Sequence, residues 1–466
     1  MMLNASQTIQ DISRRELLQR VGTGVGSIAL ASLLADDLPA GESRQQPHFP
    51  ARVKNVIFLH MVGAPSQLDL FENKPALMKN DGKECPKHLL EGAKFAFIRG
   101  TPKLLGSRMG FRRCGESGLE LSNLLPHLGG VADEMAIIKT LHTEQFNHGP
   151  AQLLLHTGFE RFGRPTMGSW INYGLGSDNA NLPGFVVLIT GSVGGAGNSM
   201  WGSGFLPTQN QGVEFRSQGD PVLFLSNPKG VSRDDRRRTL NSINTLNRAQ
   251  LADVGDPEIA TRIRQYELAF RMQVTAPEAM DIAGETKQTL ESYGAQPGMA
   301  SFANNCLLAR RLAEAGVRFI EVTTPVGWDH HFMLKDELTR SCAATDRPVA
   351  ALLADLKQRG LLEDTLVIWA GEFGRTPYAQ SGTGRDHNNR GFTVWMAGGG
   401  VQGGMRYGAT DDYGHKAVEN PVHIHDWHAT ILHLLGLDHQ ALTYRYAGRD
   451  VRLTDVHGDI MTPILA

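Results

Sequence analysis

What most constrains the fold is a recurring order in the chain. Short apolar, β-branched runs stop abruptly in polar residues, and helix-like stretches separate them. The fullest instance is Leu366-Val367-Ile368-Trp369, which reads as a buried parallel strand and breaks at Gly371-Glu372-Phe373-Gly374-Arg375. A carboxylate and a guanidinium therefore stand on the loop just past a strand's carboxyl end, where open α/β sheets keep their ligands. A glycine-rich loop follows, then Asp386-His387-Asn388, a second group of metal-capable side chains.

The same order recurs upstream. Val53 to Met61 is a strand that ends in His60 and runs into a turn-rich loop offering Ser66 and Asp69. From Glu72 to Gly118 the sequence turns irregular, which predicts an insertion (72–118) over the sheet edge. Leu119 to Glu134 is helix-like, and Met135 to Leu141 is a second strand. It leads to Asn147-His148-Gly149-Pro150, where proline suits a first helical turn, so His148 falls at a helix N-terminus. Pro183 to Thr190 is a third strand. The glycines of Gly191 to Gly204 lack the GxGxxG-then-helix pattern of a dinucleotide site.

Arg233 to Tyr293 reads as charged helix, with Arg236-Arg237-Arg238 on a solvated face. A helix over Phe302–Ala315 feeds a strand over Val317–Thr323, which ends in Trp328-Asp329-His330-His331. Pro348 to Arg359 is helical, Thr393 to Met396 is a short strand, and Asp426 caps a helix running to Leu435. Such alternation predicts an α/β fold with a mostly parallel, doubly wound sheet.

The chain has 466 residues, 41% hydrophobic and 20% charged, enough for an ordinary core. Its formal net charge of -2 and the lack of a long basic run argue against a nucleic-acid surface. Cys85, Cys114, Cys306 and Cys342 form no CxxC pair; Cys85 and Cys114 read either as a disulfide or as free buried thiols. Near the start, Arg14-Arg15 precede a weakly apolar run from Val21 to Leu34 that is too short and glycine-rich to favour a membrane span. That pattern predicts a twin-arginine export signal over 1–40, a linker over 41–52 and one domain over 53–466. The expected partner is the twin-arginine machinery, and the expected location is periplasmic or extracellular, in a bacterium.

Five strand ends thus carry polar groups: His60 with Asp69, His148 with Asn147, Asp329 with His330 and His331, Glu372, and Asp386 with His387. In one parallel sheet these ends face the same side, so groups distant in sequence can converge. Mixed Asp, Glu and His donors suit zinc, manganese or another divalent ion. Plainer readings stand beside this one. His60 also reads as a core histidine, Asp69 as a turn cap, Glu372 and Arg375 as a structural ion pair, and Asp386-His387 as a salt-bridged loop. His415, His423, His425, His428 and His433 read as packing residues. No GxSxG occurs, which argues against a serine hydrolase.

The segments GAPSQLD, GWDHH, GEFGRTP and GRDHN resemble exported sulfatase-like proteins of the alkaline-phosphatase and sulfatase superfamily. The resemblance runs from about Val53 to Ala466. It implies an alkaline-phosphatase-like α/β sandwich, helices on both faces of the sheet, and a divalent ion (zinc, manganese or calcium) above it. It also implies hydrolysis of sulfate or phosphate esters, with an anionic ester or sulfated glycan as substrate. On this resemblance Asp329, His330 or His331, and His387 hold an ion, while Glu372 and Asp69 (or His60) bind it or a second one. His148 falls where the family places its cysteine or serine nucleophile, which excludes formylglycine chemistry and leaves His148 as acid, base or nucleophile. Arg375 is expected on an anionic oxygen, and Ser66 is a reserve nucleophile. The alternative is a degenerate relative that binds anionic glycans or serves the cell envelope without turnover.

Overall fold

The computed structural model describes residues 46–466 apart from 93–97, 99, 192, 325 and 326. The export signal expected over 1–40 lies outside the described residues. The centre of the fold is a nine-stranded sheet. The strands are β1 (Asn55–His60), β2 (Met135–His142), β3 (Phe185–Leu188), β4 (Val213–Phe215), β5 (Phe319–Thr323) and β6 (Thr365–Ala370). After a separate hairpin of β7 (Gly374–Gln380) and β8 (Gly384–Asn388), the sheet gains β9 (Phe392–Gly398), β10 (Met405–Tyr407) and β11 (Val422–His423). Their order is β10-β2-β9-β6-β1-β5-β3-β4, with β11 also on β2. Among these described strands, β9 alone runs antiparallel to its neighbours.

The main helices in chain order are α1 (His148–Thr157), α2 (Met167–Leu175), α3 (Arg233–Val254), α4 (Pro257–Met280), α5 (Phe302–Glu314), α6 (Leu334–Gln358) and α7 (Ile424–Leu434). Alternation along each strand divides the core into two layers. Ile57, Leu59, Val367 and Trp369 face α5 and α6. Val56, Phe58, Leu366 and Ile368 face the helices of the other side. With α1, α2 and α7 on one face and α5 and α6 on the other, this is the expected α/β sandwich. No helix among the described residues is long and apolar enough to cross a membrane.

Several local expectations change. Leu119–Glu134 is not one helix: Leu119–Ser122 pairs with Phe111–Cys114 as a hairpin, because Leu119 and Leu121 alternate with polar residues, and a 3-10 turn over Leu128–Glu134 follows. The helix read from Pro348 begins at Leu334, with the proline inside it. The stretch after β6 is not a loop but the β7–β8 hairpin. Arg237 is not simply solvated; it pairs with Glu267 across α3 and α4 and lies over Phe270. Asp426 is not the cap itself. His423 occupies that position and Asp426 closes the capping box behind it. All four cysteines are free and buried.

The C-terminal end of α1 is pinned. Gly158 leaves the helix at φ +66, and a Cβ there would lie 2.0 Å from the Leu453 carbonyl oxygen, so only glycine fits. From α7, His428 donates through Nε2 to the Leu155 carbonyl at 2.7 Å, and His425 to the Gly158 carbonyl at 2.9 Å. These bonds satisfy carbonyls that a helix end leaves without partners. The packing roles expected for these histidines thus take a specific form.

A pH dependence follows. Burial, aided by His425, pushes His428 down to about 3 from its ordinary 6.5. Between those values the unfolded chain binds more protons than the folded one, so stability rises with pH across the window. Acidifying from about 6.5 towards 3 is expected to remove up to about 1.4 kcal/mol per pH unit through this group. Thermal unfolding followed against pH checks it: His428→Gln should flatten the slope, and an unchanged slope rejects the assignment.

Candidate metal centre

The carboxyl ends of β1, β5 and β6 lie side by side, since His60 pairs in register with both Thr323 and Ala370. Three loops leave from there. The first turns through Gly63 at a φ of +100. A Cβ at that position would come within 2.7 Å of the Trp328 backbone nitrogen, so the turn admits only glycine. The second loop carries Trp328 and Asp329. The third carries Glu372 and enters the β7–β8 hairpin, where Arg375 and His387 are cross-strand partners. The first turn of α1 brings His148 in from the side.

Four side chains meet here: His148, Asp329, His331 and His387. The Asp329 carboxylate is the hub. Its Oδ1 lies 2.8 Å from His331 Nε2, 3.2 Å from His148 Nε2 and 3.3 Å from His387 Nε2. Each ring is held from behind through Nδ1. His148 donates to Glu372 Oε1 at 2.6 Å, His387 to the Phe146 carbonyl at 2.6 Å, and His331 to Gln380 Oε1. With every Nδ1–H committed outward, the Nε2 atoms turn inward, carrying protons towards Asp329 in the ion-free protein and lone pairs when an ion is bound. The Nε2 atoms of His331 and His387 sit 3.0 Å apart, which is repulsive without a cation or proton between them. Such outward tethers are how proteins orient metal-binding imidazoles. The donor set therefore fits a divalent ion. Asp329 keeps 42% of its side chain exposed, so one side of the cluster is open.

The electrostatics agree. Burial opposes the charge on Asp329, yet hydrogen bonds from His148, His331 and His387 and the Arg375 charge hold it well below the usual carboxylate range. Burial likewise works against a charged His148, but Asp329 and Glu372 raise it to about 9. Glu372 is fully buried. It accepts from Gly63 N at 3.1 and 3.2 Å, from Gln152 Nε2 at 3.2 Å and from His148, and it stays below the ordinary range despite its burial.

The other expected site residues lie elsewhere or act differently. Arg375 is buried and gives its N–H groups to the carbonyls of Ala64, Gly63, Trp328 and Arg385 and to Asp329 Oδ1 at 2.6 Å. It braces Asp329 and is enclosed away from any substrate oxygen. Asp69 forms a fully buried ion pair with Arg385, at 2.7 Å to Nε, and takes the Ser66 hydroxyl at 2.5 Å. That removes Asp69 and Ser66 from the cluster and leaves the hydroxyl no path to attack. His330 points away towards Ser341 Oγ at 3.4 Å, and burial with the Arg375 charge lowers it to about 4. Glu372 touches the cluster through His148. His60 is buried behind Glu372, 3.8 Å from its Oε2. Asp386 is buried and accepts from the His387 backbone N–H. The outward partners Gln380, Gln152 and the Phe146 carbonyl carry no signature in the sequence and are missing from the expected set.

The family model described as "Protein of unknown function (DUF1501)" matches residues 53–465. No curated protein matches the chain. Among solved structures it is similar to Ps i-CgsB in complex with k-i-k-neocarrahexaose, at 11% identity over 82% of this chain and 72% of that one, with a TM-score of 0.36. It is similar to the lipoteichoic acid synthase LtaP from Listeria monocytogenes at 10% identity, over 91% and 80% of the two chains, with a TM-score of 0.36. Alkaline phosphatase from the Antarctic bacterium TAB5 is similar at 12% identity over 76% and 92%, with a TM-score of 0.31. The family match spans nearly all of the described chain, and the protein belongs to the DUF1501 family.

Proposed function

We propose that the protein is an exported metal-dependent hydrolase of sulfate or phosphate esters, with Asp329, His148, His331 and His387 as the ligands of one divalent ion. The observation that carries this reading is the convergence of three imidazole Nε2 atoms on one carboxylate, each ring tethered behind. Three nitrogens and one oxygen favour zinc or manganese over calcium, which prefers oxygen ligands. Such an ion lowers the pKa of water and offsets charge developing on an ester oxygen.

The chain's own residues supply the rest. Asp329 brings the single negative charge of the donor set, and Arg375 fixes its position. Glu372 holds His148 in the tautomer that presents Nε2. The positive end of the α1 dipole, at His148, favours an anionic ester near the centre. With both ring nitrogens engaged, His148 serves as a ligand and not as the covalent nucleophile.

The second reading is a binder of anionic glycans without turnover. It is favoured by the cluster's composition, which contains no hydroxyl or thiol. Metal analysis followed by a screen of aryl sulfate and aryl phosphate esters separates the two. Turnover that disappears in His387→Ala supports the hydrolase. Metal-free protein without turnover, unchanged by that substitution, sinks it.

The tether on His148 gives a finer prediction. Glu372→Gln keeps an acceptor for the Gly63 N–H but removes the charge behind His148. Metal affinity is expected to fall about 10–100-fold with the fold retained. Competition against a chromophoric chelator measures this, and an unchanged affinity would show that Glu372 does not tune the centre.

A further inference from the structure

Behind Glu372, between the sheet and α1, lies a second group of metal-capable side chains: His60, His156 and Glu321. His60 ends β1, and Glu321 stands on the same face of the neighbouring β5, opposite Phe58. His156 comes from α1, eight residues beyond His148. All three are buried, at 0%, 2% and 0% exposure for His60, His156 and Glu321.

Three features of this group call for a cation. Glu321 is a fully buried carboxylate whose ion-pair partners among the described residues are both histidines: His156 Nε2 at 3.0 Å and His60 Nδ1 at 3.7 Å. A buried carboxylate with no arginine or lysine beside it is costly unless a cation compensates it. In addition, His60 Nδ1, His60 Nε2 and Glu321 Oε2 are all buried and make no hydrogen bond. Finally, His156 donates through Nδ1 to the Gln152 carbonyl at 2.8 Å, which turns its Nε2 towards Glu321 in the manner of an oriented metal ligand.

We infer that His60, His156 and Glu321 bind a second divalent transition ion, of the zinc type, in a closed site beneath the open cluster. Zinc bonds of roughly 2.0–2.2 Å in tetrahedral geometry put ligand atoms about 3.4 Å apart, and the separations of 3.0 and 3.7 Å bracket that value. Two imidazoles and one carboxylate suit zinc better than magnesium or calcium. Full burial gives the site a structural role, because the ion joins β1, β5 and α1. It thereby fixes the helix that presents His148. The inference does not rest on the ester-hydrolase reading, since the two groups share no ligand.

The test uses the full mature chain produced with zinc in the medium and then crystallised, with anomalous maps recorded at the zinc edge. Peaks at both groups, or at the inner one alone, uphold the inference; the latter would also sink the metal role of Asp329. A peak confined to Asp329, or none at either place, overturns it and leaves His156 and Glu321 as a protonated ion pair. Elemental analysis in solution adds a count. Wild type is expected to hold about two equivalents, and Glu321→Gln and Asp329→Asn about one each. A full complement in Glu321→Gln, or a variant that empties both places when only Asp329 is changed, counts against an independent inner site. Should Glu321→Gln fail to fold, the wild-type map still decides.

Discussion

Asp329→Asn is expected to release the ion from the open cluster while leaving the fold in place. The substitution removes the one negative charge that three imidazoles share. It leaves Arg375, 2.6 Å from that oxygen, as an unopposed positive charge beside the ion. Both changes oppose cation binding. The loss should exceed the roughly 10–100-fold expected for an outer partner such as Glu372. Ester turnover, where present in wild type, should fall with it. Arg375 loses its carboxylate partner but keeps the carbonyls of Ala64, Gly63, Trp328 and Arg385, so the metal-free variant should still fold, with a lowered unfolding midpoint. Isothermal titration with zinc, alongside denaturation of the metal-free protein, separates the two effects. Undiminished zinc affinity in Asp329→Asn would remove the carboxylate from the ligand set.

The second large effect concerns stability. Arg385 is fully buried and makes four hydrogen bonds: two to Asp69 and one each to the carbonyls of Leu105 and Thr376. Burial pushes the Asp69 carboxyl up, but Arg385 and the hydroxyls of Ser66 and Ser107 more than reverse that, and it stays below its ordinary range. Arg385→Met would strand this carboxylate in the core, with an expected loss of about 3–5 kcal/mol. The double variant Asp69→Asn, Arg385→Met should recover a large part, because the stranded charge is then gone. Urea unfolding measures both. A loss of about 1 kcal/mol or less in the single variant would place the pair among weakly coupled surface bridges.

Much of the frame was legible because strands buried on both faces leave near-continuous apolar runs, and β1, β5 and β6 each carry one. Their polar ends fall together because parallel strands bring their carboxyl termini to one side. That rule groups Asp329 and His331 with His148, but it also gathers His60, Asp69, His330 and Glu372, which are not in the cluster, and His387 arrives on the separate β7–β8 hairpin. The β7–β8 hairpin is hidden in the sequence for a physical reason. Its buried positions include Arg375 and Arg385, whose charges are met by carbonyls and carboxylates elsewhere in the chain, so the usual apolar alternation is missing. The same burial defeats the reading of Arg375 as a substrate contact. Pro348 suggests a helix start by its preference for the first turn, yet α6 accommodates it internally. Gln380, Gln152 and Glu321 act through tertiary neighbours, and nothing in their local sequence distinguishes them.

Holding α1 at both ends has a consequence for chain length. His425 and His428 fix its last carbonyls, and His148 must reach Asp329 from its first residue. The ten residues of the helix serve as a ruler. Adding a single alanine inside it would swing His148 by about 100° and shift it by about 1.5 Å. Insertions and deletions among relatives should therefore be absent from this helix and collect in the loop after Gly158, where the register of the centre is not at stake.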